Sequence, residues 1–449
     1  MLVSAKPTAD TVPLPPWYGD TRTTAEDPAG LIGHVACDTV VIGGGVTGLA
    51  AARALAARGR DVAVLEAKVV GSGGTGRAFG QVVAFGKQSE AALIETHGRE
   101  MGERLIAWLA TGPDRVFDLI ASHDMRCRAR RTGLLFAAHH EKAVRPLRAR
   151  AADLARRGYD VQFLDRDETA AAVGGDLYPG AMLDRRAGSI DPLAYAQGLA
   201  AAASMSGARI FSNSPVRTLC KDEDRWRVET PTGSVRAASV VIGTNAYTPP
   251  GLWPGLAESI VPTRAYQLVS APIGENLRKT ILPGRQALTD TRRLFSAVRL
   301  LDDGRLHATT YGMPFALSAE PDPAFATDRV LSLFPQLETV DWEGGWSGWV
   351  AVNTAQAPRL HALAGGVWSV AGYSGRGLAL GTLLGEQIAL RIAEPGSADI
   401  VYPVSPLKPL FGQRFGPLVV GAYFKLAAAL DARELKQTRA QAAASRRRG

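Results

Sequence analysis

The feature that most constrains this chain is the run VVIGGGVTGLAAARAL at residues 40–55, which sets Gly43, Gly45 and Gly48 between two apolar segments of different period. Residues 38–42 (DTVVI) are β-branched and read as a buried strand. After the turn, Leu49, Ala52, Leu55 and Ala56 recur at helical spacing, and Gly59 ends the pattern. A second apolar strand at residues 62–65 closes on Glu66. A β-α-β unit of this kind needs a crossover, so its strands are parallel and the fold class is α/β with a doubly wound, Rossmann-like sheet. Gly43 permits the tight turn, Gly45 admits close approach of a ligand to the backbone, and Gly48 lets the helix lie against the strand. With Val46 and Thr47 they leave unpaired amides at a helix N-terminus, where an anionic pyrophosphate is favoured. Glu66, followed by Ala67, stands where a carboxylate accepts both ribose hydroxyls. The turn predicts a dinucleotide, and by itself fits nicotinamide and flavin forms equally.

Two later glycine-rich segments favour a flavin. Residues 71–81 (GSGGTGRAFGQ) can lay backbone amides along a pyrophosphate or a ring edge, with Thr75, Gly76, Arg77, Gly80 and Gln81 as contacts. Residues 372–381 (GYSGRGLALG) precede an apolar helical pattern, and Gly372, Gly375, Gly377 and Gly381 clear space for a planar ring. The helix N-terminus and Arg376 would put positive charge where flavin reduction accumulates negative charge.

The remaining pattern gives the organisation. Residues 1–35 read as an irregular, proline-containing arm. Strand signals recur at residues 208–216, in a hairpin of residues 225–230 and 234–237, and at residues 239–242 ahead of GTNAY. We expect a discontinuous cofactor domain (36–90, 181–257 and 346–395) with an inserted mixed α+β substrate domain (91–180 and 258–345). A C-terminal extension and helix follow at 396–436, and a disordered basic tail at 437–449.

Composition excludes little. The net charge of +8 is dispersed, with Arg446, Arg447 and Arg448 supplying part of it, and no nucleic-acid-binding motif accompanies it. Cys37, Cys127 and Cys220 are too few and too scattered for a disulfide framework, which points to a reducing compartment and a cytoplasmic location. No secretory leader precedes the first strand, and no apolar run reaches the ~20 residues that span a bilayer. The histidines His139 and His140 have no metal-ligand company in the sequence and read as surface residues, so no metal is expected.

In order along the chain, WY at 17–18, the GxGxxG unit, GTGRAFGQ, AGSIDP, NSPV, IGTNAYT and GYSGRGLALG make the sequence resemble the D-amino-acid-oxidase-like (DAO) family of FAD-dependent oxidoreductases, over residues 17–431. Within it the likeness is greatest to the gamma-glutamylputrescine oxidase-like branch. The resemblance implies FAD on Gly43, Gly45, Gly48 and Glu66. It places Thr75, Gly76, Arg77, Gly80 and Gln81 beside the flavin and the Val216 backbone on the adenine. Thr244 and Asn245 fall near the nucleotide, and Gly375, Arg376 and Gly377 at the pyrimidine end of the ring. Two positions depart from the family pattern. Phe79 is bulky where glycine is usual, and Arg376 replaces a histidine, which fixes a charge that histidine would only carry at lower pH. Neither flavin loop holds a cysteine, so noncovalent FAD is expected.

The family's reaction is oxidation of a C–N bond, in which hydride leaves the carbon beside the nitrogen for flavin N5 and water hydrolyses the imine. The resemblance thus implies a small-molecule amine or amino acid as substrate and oxygen or another acceptor as oxidant. Candidate substrate contacts are Arg264, Tyr266, Arg299, His307, Tyr311, Trp346 and Trp349, with Arg376, Arg299 and Tyr266 as the catalytic set. Arg299 could hold a carboxylate at two points, or be a solvated arginine on a sheet face. Trp342, Trp346 and Trp349 form a cluster in sequence that could cage an ammonium group or simply pack. A dehydrogenase passing electrons to a quinone or carrier protein is the competing reading, with peripheral membrane contact left open by the apolar helix near 420–430. A non-catalytic nucleotide-binding scaffold is a third.

Overall fold

The computed structural model describes residues 28–294, 297–311, 323–410 and 416–446. Trp17 and Tyr18 of the arm, and Arg447 and Arg448 of the tail, lie outside the described residues. Two compact units are formed, one from Met1–Ala129, Ile190–Thr263 and Gly348–Arg414, the other from Arg130–Ser189, Arg264–Ser347 and Phe415–Gly449.

The first unit opens with β1 (Gly33–Ile42), α1 (Val46–Ala56), β2 (Val62–Leu65), a short β3 (Gln81–Val82) and helices α2 (Glu90–His97), α3 (Arg99–Ala110) and α4 (Gly112–Ser122). The second begins with β4 (Leu134–Ala137), α5 (Glu141–Arg156), β5 (Val161–Leu164), α6 (Arg166–Val173), β6 (Ala181–Asp184) and β7 (Gly188–Ser189). The chain returns through α7 (Pro192–Met205), β8 (Arg209–Phe211), β9 (Thr218–Asp222), β10 (Arg225–Glu229) and β11 (Gly233–Ile242). Strand β12 (Val261–Pro272) leads into the second unit, with α8 (Glu275–Thr280), β13 (Ala287–Asp290), β14 (Ala297–Leu300), β15 (Arg305–Tyr311) and α9 (Pro323–Leu333). Strand β16 (Trp342–Val352) leads back to β17 (Arg359–Ala364), β18 (Val367–Ala371) and α10 (Gly377–Ala393), and α11 (Gly416–Arg446) ends the second unit.

The first unit's sheet has the order β17-β18-β11-β1-β2-β8, with β10 and β9 attached to β11. Its centre is parallel, as the crossover through α1 requires: β1 pairs in parallel with both β2 and β11. The two runs read separately at 234–237 and 239–242 are one strand. Its first half carries the antiparallel hairpin with β10, while its whole length runs parallel to β1. Val40, Val41 and Ile42 of β1, Val62 and Val64 of β2, and Val240, Val241 and Ile242 of β11 are buried, as strands covered on both faces demand. Each such side chain contributes about 1.5–3 kcal/mol on full burial.

Small residues set how closely α1 approaches the turn after β1 on one side and α10 on the other. A Cβ on Gly48 would lie 2.1 Å from the Gly43 carbonyl oxygen, and one on Gly385 would lie 2.4 Å from that of Thr47. Helix α4 joins the same layer through Gly112, which packs on Ala379 and Leu383, and through Arg115, which pairs with Glu386 at 2.7 Å. That contact is why residues 90–122 belong to the first unit, whereas the sequence division placed most of them in the second.

The second unit is built on an eight-stranded sheet of order β16-β12-β15-β14-β13-β4-β6-β5. One face carries the core: Leu135, Leu183, Leu288, Val298, Leu306 and Ala308 meet Val173 of α6 and Val330 of α9. Helix α11 belongs to this unit, with Phe424 and Ala427 against Leu294. It continues to Arg446, so the segment from 437 that was expected to be disordered is helical that far, with Thr438 buried. Among the described residues no helix is long and apolar enough to cross a membrane.

Candidate active site

The first unit gathers the dinucleotide residues at the carboxyl ends of β1, β2, β11 and β18. Gly43 has a φ of 107°, the left-handed region that a glycine enters without strain, and its amide donates to the Leu65 carbonyl. Gly45 caps α1 with no side-chain partner, so amides of the first turn face outward as an anion site requires. Glu66 follows β2 and its carboxylate holds backbone amides, Gly44 to Oε2 at 2.7 Å, Lys68 to Oε1 at 3.0 Å, and Ala67. Burial pushes its carboxyl above the usual range, against the lowering effect of those amides. A carboxylate has about four lone-pair directions, so capacity remains for a ribose hydroxyl. Ala67 is exposed beside it. The Asn213 and Ser214 amides donate to the Lys68 and Glu66 carbonyls, which brings Val216 to the same edge.

The second glycine-rich segment folds onto the first. Thr75 Oγ1 accepts from the Val46 amide at 3.1 Å, and a Cβ on Gly76 would lie 2.4 Å from the Gly71 carbonyl oxygen. Arg77 is buried, with Nε donating to the Ser72 carbonyl, and Phe79 is buried next to it. Gln81 leaves its amide nitrogen buried with no hydrogen-bond partner, a donor of the kind a ring carbonyl or nitrogen would satisfy.

The third segment closes the same site. Ser374 and Gly375 both adopt positive φ, and Arg376 is the N-cap of α10, with Gly377 its first residue. Asn245 Oδ1 accepts from the Gly372 amide at 2.9 Å, and Thr244 Oγ1 lies 2.7 Å from Thr248 Oγ1. One linkage here has no signal in the sequence: the Tyr373 hydroxyl lies 2.7 Å from Thr47 Oγ1 and ties the last loop to the first turn of α1. Burial pushes the Tyr373 phenol up, so it stays neutral. An anion cradle, a ribose-matched carboxylate, a spare donor at Gln81 and a positive helix start fit FAD.

The candidate substrate residues of the second unit divide over the faces of its sheet. Arg299, His307, Gln267 and Thr309 share the face opposite the core, because β14, β15 and β12 pair Arg299 with His307 and Gln267 with Thr309. Tyr266 pairs with Thr310, one residue out of phase, so alternation places it on the other face. Burial pushes its phenol up. Arg264 Nη1 donates to Ser347 Oγ at 2.7 Å. Tyr311 ends β15.

The three tryptophans have separate neighbours. Trp342 donates to Thr327 Oγ1, Trp346 packs on the His307 ring, and the Trp349 amide donates to Tyr247.

His139 is not a surface residue. It is buried, with Nδ1 2.8 Å from Thr291 Oγ1 and Nε2 2.9 Å from Glu434 Oε2, because α11 folds over it. His139, His140 and Glu434 come close enough to share a cation, but Arg293 already neutralises Glu434 through two contacts at 2.7 and 3.0 Å.

The comparisons agree with this geometry. The family model described as FAD dependent oxidoreductase, DAO, matches residues 38–391. Gamma-glutamylputrescine oxidoreductase of Escherichia coli K12 is 30% identical over 359 residues, covering 79% of this chain and 83% of the relative. The crystal structure of glycine oxidase from Geobacillus kaustophilus superposes with a TM-score of 0.68 at 21% identity, covering 84% of this chain and 100% of that one. L-proline dehydrogenase from P. horikoshii gives a TM-score of 0.66 at 19% identity, covering 83% and 96%. With the whole glycine-rich series in place and most of the sequence matched, this chain belongs to the DAO family of FAD-dependent oxidoreductases.

Proposed function

We propose that this protein oxidises the C–N bond of a small amine or amino acid that bears a carboxylate, with oxygen as the terminal acceptor. When bound, noncovalent FAD supplies the hydride acceptor. The chain's own residues do the rest. Glu66 and the amides of the first turn anchor the dinucleotide, and Arg376 with the α10 N-terminus places fixed positive charge at the last flavin loop. Arg299 grips the substrate's carboxylate.

The observation that carries the substrate class is Arg299 itself, a buried arginine whose Nε donates to the neutral His307. An arginine so placed is suited to a carboxylate, which it meets at two points. The names of the relatives fit this class: one acts on gamma-glutamylputrescine, another is a glycine oxidase.

The test is an anaerobic screen of amines and amino acids for bleaching of the flavin absorbance, followed by admission of air. Bleaching by carboxylate-bearing amines and rapid reoxidation support the proposal. Bleaching only by amines that lack a carboxylate refutes the substrate class.

A second reading, a dehydrogenase delivering electrons to a quinone or carrier protein, has one observation in its favour. Leu418, Val419, Tyr423, Leu426 and Leu430 of α11 are exposed, which gives that helix an apolar outer face. Slow reoxidation in air after substrate reduction favours this reading.

A further inference from the structure

Helix α11 has two sides of different chemistry. Phe424, Ala427, Asp431 and Thr438 are buried on the side that holds it to the second unit. On the other side Val419, Tyr423, Leu426 and Leu430 are exposed, and they recur every three or four residues, one above another along the helix. The same line continues into Arg433 and Lys436, both exposed, with exposed Lys425 at its flank. The stripe begins apolar and ends basic.

Charge on this helix is sorted by side. Asp431 and Glu434 are the two acids of residues 416–449. Both are turned inward. Asp431 accepts from Arg293 Nη1 at 2.8 Å and from the Leu294 amide at 3.1 Å. Glu434 accepts from the same guanidinium at 2.7 and 3.0 Å and lies 2.9 Å from His139 Nε2. The outer side of the helix is left with cations, and the sequence beyond adds Arg439, Arg446, Arg447 and Arg448 without a further acid.

An exposed row of apolar side chains by itself fits any apolar partner. A row that runs into cations, with the helix's own acids facing the other way, calls for a partner that is apolar in depth and anionic at its surface. A bilayer with anionic headgroups is layered in that way. A second copy of the same helix would offer apolar groups but no negative charge to meet the cations.

We propose that the outer face of α11 docks on an anionic phospholipid surface, with the helix lying in the plane of the interface. Val419, Leu426 and Leu430 enter the boundary between headgroups and acyl chains, and Tyr423 keeps its hydroxyl at headgroup level. Lys425, Arg433 and Lys436 meet the lipid phosphates. The helix lies on the bilayer rather than through it, because only its outer side is apolar and its inner side is packed against protein. The docking uses no residue of the flavin loops and holds for either electron acceptor.

The test is cosedimentation of the FAD-loaded full-length protein with vesicles of phosphatidylglycerol and phosphatidylcholine, and with vesicles of phosphatidylcholine alone. Binding to the anionic vesicles is expected, weaker at high salt, and weaker by roughly tenfold or more on phosphatidylcholine alone. Replacing the cations together, Lys425→Gln, Arg433→Gln and Lys436→Gln, should weaken it on the order of a hundredfold, since each contributes about fivefold near an anionic surface. Leu426→Ser should weaken it about tenfold, the scale of one apolar side chain withdrawn from the interface. Leu426→Lys separates docking from simple charge attraction: it adds a cation and removes an apolar contact, so it weakens binding if the row inserts and strengthens it if charge alone acts. Melting temperature and flavin content check the folding of each variant, and Val419→Ser and Val419→Lys carry the test if the Leu426 variants do not fold. No binding to anionic vesicles, equal binding to both kinds, or undiminished binding by the lysine variant overturns the proposal. So does a dimer in sedimentation velocity that Leu426→Ser dissociates, because the face then belongs to a second copy of the chain.

Discussion

The Gly44 amide donates to Glu66 Oε2 at 2.7 Å, so the carboxylate proposed for the ribose is held by the same turn proposed for the pyrophosphate. The two halves of the nucleotide site are therefore one structural object. Replacing Glu66 removes the anchor of the Gly44 amide as well as a ligand contact.

Glu66→Ala should weaken FAD binding by roughly 10–100-fold, the loss of hydrogen bonds to a charged group worth about 1.5–3 kcal/mol. Glu66→Gln keeps one acceptor oxygen for an amide and should lose less. Fluorescence titration of the apoprotein with FAD measures both. Equal affinities in wild type and Glu66→Ala would rule out the ribose role.

The close packing around α1 predicts an order among glycine substitutions. A Cβ on Gly48 meets the Gly43 carbonyl oxygen at 2.1 Å, and backbone cannot yield there without opening the turn. Gly48→Ala should cost about 3 kcal/mol or more and leave an enzyme that does not retain FAD. On Gly381 the nearest atom is Val46 Cγ1 at 2.7 Å, the end of a side chain that can rotate. Gly381→Ala should cost about 1 kcal/mol and keep the flavin. Denaturant melts and the flavin content of purified variants give the order. A Gly48→Ala protein as yellow and as stable as wild type would refute the close-packing argument.

Much of the first unit is readable from local pattern. The strand, turn and helix at residues 38–56, the acid at the end of β2, and the β10–β11 hairpin all follow from periodicity and turn residues, whereas the start of β1 at Gly33 falls in what reads as an irregular arm. What is hidden depends on contacts between distant segments. Thr47 and Tyr373 meet across 326 positions, and nothing in either neighbourhood announces the other. His139 precedes a helix and looks like an exposed cap until α11 covers it. Tyr266 and Gln267 sit in a stretch of β12 that is buried on both faces, so alternation of polarity could not say which one shares a face with Arg299. Helix α4 is amphipathic wherever it packs, and contacts between distant segments, such as those of Gly112 and Arg115 with α10, assign it to the first unit.

Acidification should loosen α11. Hydrogen bonds from Arg293 pull the Glu434 carboxyl from 4.5 down to about 2, with the bond from His139 adding to the effect. A depressed carboxyl stabilises the fold above its unfolded value, so this contribution is lost as the pH falls from 4.5 towards 2. Burial holds His139 below its ordinary 6.5, so the unfolded chain takes up a proton that the folded one refuses, and stability also falls below that pH. Both slopes have the same sign. At neutral pH Glu434→Gln should cost about 1 kcal/mol, allowing for solvent screening of a partly exposed carboxylate, and the gap to wild type should narrow below about pH 4. Hydrogen exchange of α11 and thermal melts between neutral and acid pH report this. A gap that is constant across the range would show that the Glu434 ion pair does not hold the helix.

Arg376 is the N-cap of α10 and places a permanent charge at the last flavin loop. On the proposed reading, a fixed positive charge there would stabilise an anionic reduced flavin at every working pH, whereas a histidine would do so only when protonated. Arg376→His should therefore match wild type in midpoint potential below about pH 6 and fall below it above about pH 7, following an ordinary imidazole. The deficit at high pH should be on the order of 30 mV, which for a two-electron couple corresponds to about 1.4 kcal/mol of lost charge stabilisation. Arg376→Lys should remain close to wild type throughout, because it keeps the charge and changes only the geometry. Dye-equilibrated anaerobic titrations across that pH range measure the potentials. An Arg376→His curve parallel to wild type at all pH values would mean that the charge at this cap does not reach the flavin, and that the helix N-terminus alone stabilises its reduced form.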